Sequence, residues 1–306
     1  MARRSRIEFA GACYHILNRG NYRKDIFGND GQIRSFEKTL FEVIERCGWR
    51  MYAYVIMNNH YHLCIETPEP NLVSGMKWLQ STYATRFNRF RGENGHVFQG
   101  RYKSIIVEGD TYLSNLIDYI HLNPVRAGVC GIQDLKSYTP SSYPKLFKRV
   151  VRKGLYRELL TSLYGLPNSI EGMRAYEEHL ELCAAKDPKD REDLTKKYCR
   201  GWFCGSAADK KDLLKDLVLQ NQDVVWGGRD YNDLKEARWN QIVGQELSRL
   251  KKKEIDLSNS RKGAKWKVEI AIRLRKETIA SNPWIANRLH MGHPNYVSNL
   301  IINSKS

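Results

Sequence analysis

His60-Tyr61-His62 carries two imidazoles at i and i+2. On a strand both rings leave the same face, because strand side chains alternate. Two such histidines hold one divalent ion and leave positions open for substrate or water. A strand end with one packed and one solvated histidine has the same spacing, so the pattern alone leaves both readings open. The second constellation is Asp118-Tyr-Ile-His-Leu-Asn-Pro124, in which Tyr119 and Asn123 share a helix face. A phenolic oxygen attacks phosphorus when a cation lowers its pKa. The amide oxygen of Asn123 is a hard donor that suits a metal. Tyr112 and Tyr102 are alternatives that spacing does not exclude, and a packed amphipathic tyrosine is the plain reading of each.

A third group is basic and aromatic. Arg3, Arg4 and Arg6 form an N-terminal arm, Arg19 and Arg23 flank a Gly-Asn turn, and Arg86, Arg89, Arg91, Arg101 and Lys103 precede the last strand. Such cations track phosphates, and Tyr22, Phe98 and Tyr102 are candidates to stack on unpaired bases. The arm and the Arg101–Lys103 segment are the stronger candidates; a solvated basic surface over core aromatics is the alternative. Near the C-terminus, Trp284–Leu289 reads as a short helix, His290–His293 as a turn and Pro294–Ile301 as a second helix. A glycine-containing turn between short helices has the form of a helix-turn-helix, with Asn295, Tyr296, Ser298 and Asn299 as base-reading positions. A purely structural helical hairpin has the same pattern.

The elements that must position these residues follow from hydrophobic period. Cys13–Leu17, Met51–Met57, His60–Glu66 and Tyr102–Val107 read as strands. Gly31–Cys47, Leu72–Phe90 and Tyr112–Leu122 read as helices, the last closed by Asn123-Pro124. The order β-α-β-β-α-β-α is an α+β plan, a ferredoxin-like split βαβ antiparallel sheet with helices on one face. Beyond it the pattern is mainly helical, including Gly172–Ala185 and Asp209–Leu219, with Trp202 and Trp226 expected between helices. The organisation expected is a catalytic domain over 1–145, a helical region of unassigned role over 146–250 and a DNA-binding region over 251–306.

Composition narrows the partners. The 306 residues include 50 Lys+Arg against 34 Asp+Glu, a net charge of +16 that points to a polyanion. The second half concentrates its surplus in residues 249–276, where eleven basic side chains face three acidic ones. No run of eighteen apolar residues exists, and the N-terminus lacks the apolar stretch of a signal peptide. Seven scattered cysteines without a Cys-x-x-Cys pair argue for reduced thiols. These features lead us to expect a cytoplasmic, nucleoid-associated protein with no membrane partner. No Gly-x-x-x-x-Gly-Lys-Ser/Thr loop is present, so ATP hydrolysis is not expected.

His60-Tyr61-His62, Val97-Phe-Gln-Gly-Arg-Tyr-Lys-Ser104 and Asp118-Tyr-Ile-His-Leu-Asn-Pro-Val-Arg-Ala-Gly128 occur in that order. Together they resemble the HUH-type single-tyrosine transposases of the insertion-sequence kind, in particular the REP-associated tyrosine transposases, over roughly residues 5–145. Tyr61 stands where that family mostly has a plain hydrophobe. The resemblance implies that His60 and His62 bind Mg²⁺ or Mn²⁺, that Asn123 is the third polar ligand and that Tyr119 is the nucleophile. It implies single-stranded or hairpin DNA as substrate, cut and rejoined through a 5′-phosphotyrosine, and a monomer or a homodimer. The C-terminal helices resemble the Trp-repressor-like and replication-initiator-like ends of some members, which implies duplex DNA there. A non-catalytic DNA-binding regulator that keeps the fold is the alternative, and a metal hydrolase acting through water is another.

Overall fold

The structure, a computed structural model, describes residues 6–185, 193, 198–220 and 232–303. It forms two compact units, Arg6–Asp209 and the residues from Lys210 onward. In the first, β1 (Ala12–Arg19), α1 (Asp30–Cys47), β2 (Arg50–Ile56), β3 (His60–Thr67), α2 (Leu72–Arg91), β4 (Lys103–Val107) and α3 (Asp110–His121) follow in the order expected from hydrophobic period. Asn123-Pro124 ends α3 and opens a helical turn, α4 (Asn123–Arg126), since a proline ring fits a first turn. Then come α5 (Tyr143–Leu146), α6 (Arg157–Leu163), α7 (Ile170–Ala184) and β5 (Phe203–Cys204).

The sheet order is β2-β3-β1-β4-β5, antiparallel except that β5 runs parallel to β4. Asn29 caps α1 by accepting the Gln32 amide at 3.0 Å, and Gly48 ends it in the left-handed region. That places Phe36, Leu40, Val43 and Ile44 on one buried face. Helix α2 approaches so closely that a side chain at Gly75 would fall 2.2 Å from the Trp49 ring.

Helices cover both faces of this α+β sheet, which corrects the single covered face expected above. Alternation sends Tyr61 to the α1–α2 side, where its ring lies 4.8 Å from Phe36 and its hydroxyl accepts from Gln80 at 3.1 Å. His62, its neighbour, faces Tyr119 of α3 on the other side. Central strands buried on both faces tolerate a bulky aromatic such as Tyr61 in place of a smaller hydrophobe.

The described residues between 146 and 209 pack with the sheet unit. Gly201–Ser206 supplies β5, with the Ile106 amide donating to the Trp202 carbonyl at 2.9 Å and the Glu108 amide to Cys204 at 2.9 Å. Those bonds occupy backbone groups of β4 that an uncovered edge would leave unpaired. Trp202 is buried beside this edge instead of between helices, and Trp226 lies outside the described residues.

The second unit is helical: α8 (Ala207–Gln220) leads into it, followed by α9 (Asn232–Arg249), α10 (Glu254–Asn259), α11 (Lys265–Glu277), α12 (Asn282–Arg288) and α13 (Pro294–Asn303). Val243, Leu247, Leu257, Ile270, Leu274, Leu289 and Val297 form its core. No helix among the described residues is long and apolar enough to cross a membrane.

Candidate active site

The β2–β3 turn, closed by the Met57 amide donating to the His60 carbonyl at 2.8 Å, sets His60 at the first position of β3. Its register puts Arg19 opposite His60 and Leu17 opposite His62 on β1. The two rings meet edge-on with centroids 5.2 Å apart. His62 is buried, and its Nδ1 lies 2.8 Å from Nε2 of His15, itself fully buried on β1. Nδ1 of His15 lies 2.8 Å from the Tyr198 carbonyl, which only accepts, so that nitrogen carries the proton. Burial pushes the His15 pKa down to about 4, so the ring is neutral and its Nε2 is an acceptor. His62 must therefore donate through Nδ1, and its Nε2 keeps the lone pair.

The same logic fixes His60. Asn59 donates its amide nitrogen to the Arg23 carbonyl at 3.2 Å, so its oxygen faces His60 Nδ1 at 2.8 Å and accepts from it. Burial lowers the pKa of His60 and sends that of His62 well below the ordinary value. Both rings are thus neutral imidazoles with Nε2 as the basic atom. The Asn123 side chain pulls the His60 pKa up and the Tyr119 phenol pKa down, each against the burial that dominates it.

Tyr119 is 4% exposed, with its ring 5.6 Å from His62 and 5.7 Å from Tyr198. The Arg126 guanidinium lies 5.0 Å above it. Its hydroxyl is 3.3 Å from the Cys199 sulfur. Burial, then the Cys199 thiol, raises the phenol pKa, while Asn123 and Arg126 oppose that shift. Tyr119 joins His60 and His62 in the wall of a cavity of about 650 Å³, which Arg19, Arg23, Arg101 and Lys103 also line. Neither Tyr112 nor Tyr102 lines it.

Other expected residues fall elsewhere. Arg6 stacks 4.0 Å over the Tyr102 ring and donates to Ser104 Oγ at 3.1 Å, so it is spent on β4; Arg3 and Arg4 lie outside the described residues. Arg86 pairs with Glu42 and Arg91 with Glu93. Phe98 and Tyr102 are buried, which removes them as base-stacking surfaces. Tyr22 alone of the three is open, at 87% exposure. In the second unit Asn295, Tyr296 and Asn299 are exposed on α13, whereas Ser298 is half-buried and accepts from Asn282 at 2.9 Å.

Sequence reasoning missed His15, Tyr198 and Cys199. A histidine inside the apolar run of β1 was a usable signal, because a buried imidazole needs partners; nothing local marks the other two.

On the back of α3, Asp118 accepts from Tyr164 at 2.7 Å, Tyr176 at 2.9 Å and His179 at 2.8 Å. Asp118, His179 and Cys183 offer metal-type donors within 4.8 Å of one another, and the carboxylate is already satisfied by its three hydrogen bonds. His121 extends the network to the Tyr176 hydroxyl at 3.0 Å and Ser142 Oγ at 2.8 Å. Burial holds the His121 pKa down at about 4, against an upward pull from Asp118. The unfolded chain takes up this proton near 6.5, so stability from neutral His121 is full above that pH and is lost as pH falls toward 4. The loss expected is on the order of 3 kcal/mol. Urea midpoints measured between about pH 7 and pH 4.5 check it; a flat profile would overturn the assignment.

Residues 9–123 match the family described as "Transposase IS200 like". A Haemophilus influenzae (strain ATCC 51907 / DSM 11121 / KW20 / Rd) protein described as a REP-associated tyrosine transposase is 25% identical over 137 residues, 41% of this chain and 74% of its own. A solved REP-associated tyrosine transposase bound to a REP hairpin is similar with a TM-score of 0.41 and 18% identity, over 50% of this chain and 90% of that one. A transposase structure from Deinococcus radiodurans R1 gives 0.29 and 19%, over 36% and 89%.

Proposed function

We propose that this chain, which carries an IS200-like transposase domain over residues 9–123, cuts and rejoins single-stranded or hairpin DNA through a covalent bond to Tyr119. The observation that carries the reading is one basic cavity lined by a phenol and two neutral imidazoles. The Tyr119 hydroxyl gives up its proton as its oxygen attacks a backbone phosphorus, the bond from phosphorus to the 3′ oxygen breaks, and that oxygen leaves as a hydroxyl by taking up one proton in exchange. The bond energy is kept in the 5′-phosphotyrosine, so the reverse attack rejoins the strand. Arg19, Arg101 and Lys103 hold the phosphates, and Arg126 favours the phenolate that burial disfavours.

His60 and His62 through Nε2, with Asn123, suit a divalent ion such as Mg²⁺ or Mn²⁺. Bound there, it would polarise a non-bridging phosphate oxygen. His15 is the outer partner that orients His62, the arrangement common behind metal-bound imidazoles. His15→Ala should therefore weaken Mn²⁺ binding about 10–100-fold, read by calorimetric titration. Unchanged affinity in a folded variant would show that His62 is not a ligand.

Incubation with a cleavable single strand, followed by mass spectrometry of the DNA-linked peptide, tests the whole reading. A 5′-linked fragment on Tyr119 supports it; binding without any adduct or cut supports the regulator alternative, and a cut without an adduct supports water as the attacking group. The helix-turn-helix reading of α12 and α13, with duplex DNA against Asn295, Tyr296 and Asn299, belongs to the same proposal.

A further inference from the structure

The second unit holds a cavity of about 580 Å³ between two loops. One wall is the end of α10 with the strap that follows it, Ser258 to Lys262, and the other is the turn His290–Gly292 after α12. Among the described residues no acidic side chain lines it. Arg261, Lys262 and His290 contribute cationic or titratable groups, and Asn259 and Asn287 contribute amides.

Elsewhere in this unit three arginines are committed to acids. Arg249 pairs with Glu246 at 2.7 Å, Arg273 with Glu277 at 3.0 Å and Arg288 with Glu254 at 2.8 Å. Among the described residues no ion pair involves Arg261 or Lys262, although both stand on the same wall. Leaving two like charges side by side costs self-repulsion unless a polyanion offsets it.

The walls are fixed. Lys267 is fully buried and donates to the Leu257 carbonyl at 2.7 Å and the Ser260 carbonyl at 3.1 Å, which ties the strap to α11. On the facing turn His290 holds φ at +51° and Gly292 at +84°. A side chain at Gly292 would begin 3.2 Å from the Lys262 stem, so glycine also leaves room for that lysine.

We propose that this groove grips the phosphate backbone of duplex DNA through Arg261 and Lys262, with Asn287 and His290 on the opposite wall. The proposal deepens the duplex-binding part of the reading above and is independent of the chemistry at Tyr119. It places phosphate contacts on the strap, apart from the exposed face of α13.

The test is the full chain titrated with a fluorescent blunt duplex across a salt series, read by anisotropy. Arg261→Gln/Lys262→Gln should weaken binding about tenfold and lower the slope of log K against log salt by about two, one per lost phosphate contact. Lys235→Ala/Lys276→Ala removes the same charge outside the groove and should move the slope by less than half as much. An unchanged slope in a groove variant with parental thermal stability overturns the proposal, and so does an equal fall in the control pair. Gly292→Ala should weaken binding in the same direction, and parental affinity in that variant, if folded, counts against the groove. If the strand-cutting assay yields no adduct while the groove variant still loses slope, the transposase chemistry fails and the groove stands.

Discussion

Tyr119→Phe should abolish the covalent protein–DNA adduct and lower strand cutting by a factor on the order of 10³ or more. The substitution removes one oxygen. The ring contacts with His62 and Tyr198 and the Arg126 guanidinium above the ring remain. The hydrogen bond lost, to Cys199, costs about 1 kcal/mol of stability. DNA affinity should hardly change, because Arg19, Arg101 and Lys103 supply the charge of the cavity. Gel-shift affinity, thermal midpoint and adduct yield, measured on one preparation, separate these effects. Cutting at the parental rate in Tyr119→Phe would remove this tyrosine from the mechanism, and loss of the adduct in Tyr112→Phe alone would move the nucleophile upstream.

His60→Ala should reduce divalent-ion-dependent cutting by a factor on the order of 10² or more, with folding intact. His60 is the better position for this test because it is half-buried at the start of β3. His62→Ala would also strand the buried Nε2 of His15 without its donor, which adds a folding penalty of about 1–3 kcal/mol. The parent should lose activity in chelator and regain it with Mg²⁺ or Mn²⁺, while His60→Ala should respond only at much higher ion concentration. Equal cutting by the parent and His60→Ala in chelator would sink the metal site.

The sequence made the local half of this architecture readable. Strand and helix periods around β1 to α3 are strong, and the two site motifs sit on β3 and α3, whose positions those periods define. What escaped was the part written in distant pairings. A histidine inside the apolar run of β1 signals a buried imidazole, but which partners His15 takes, the Tyr198 carbonyl and His62, is set by pairings far apart in the chain. The β5 strand is two residues long and pairs in parallel with β4 from roughly a hundred positions away, too short to leave a period. Arg6 misled because charge in a sequence does not say whether a guanidinium faces a ligand or a neighbouring ring.

The three-donor grip on Asp118 bears on how this sheet domain could be moved between proteins. Its donors, Tyr164, Tyr176 and His179, all come from beyond residue 123, where the family match ends. A fragment trimmed to that boundary would strip Asp118, the residue next to Tyr119, of all three donors and leave a bare β4 edge open to pairing with another chain. The portable piece therefore runs to about Asp209, and the later helices serve it as scaffold. A chimera built on homology alone would cut through the support of the helix that carries Tyr119.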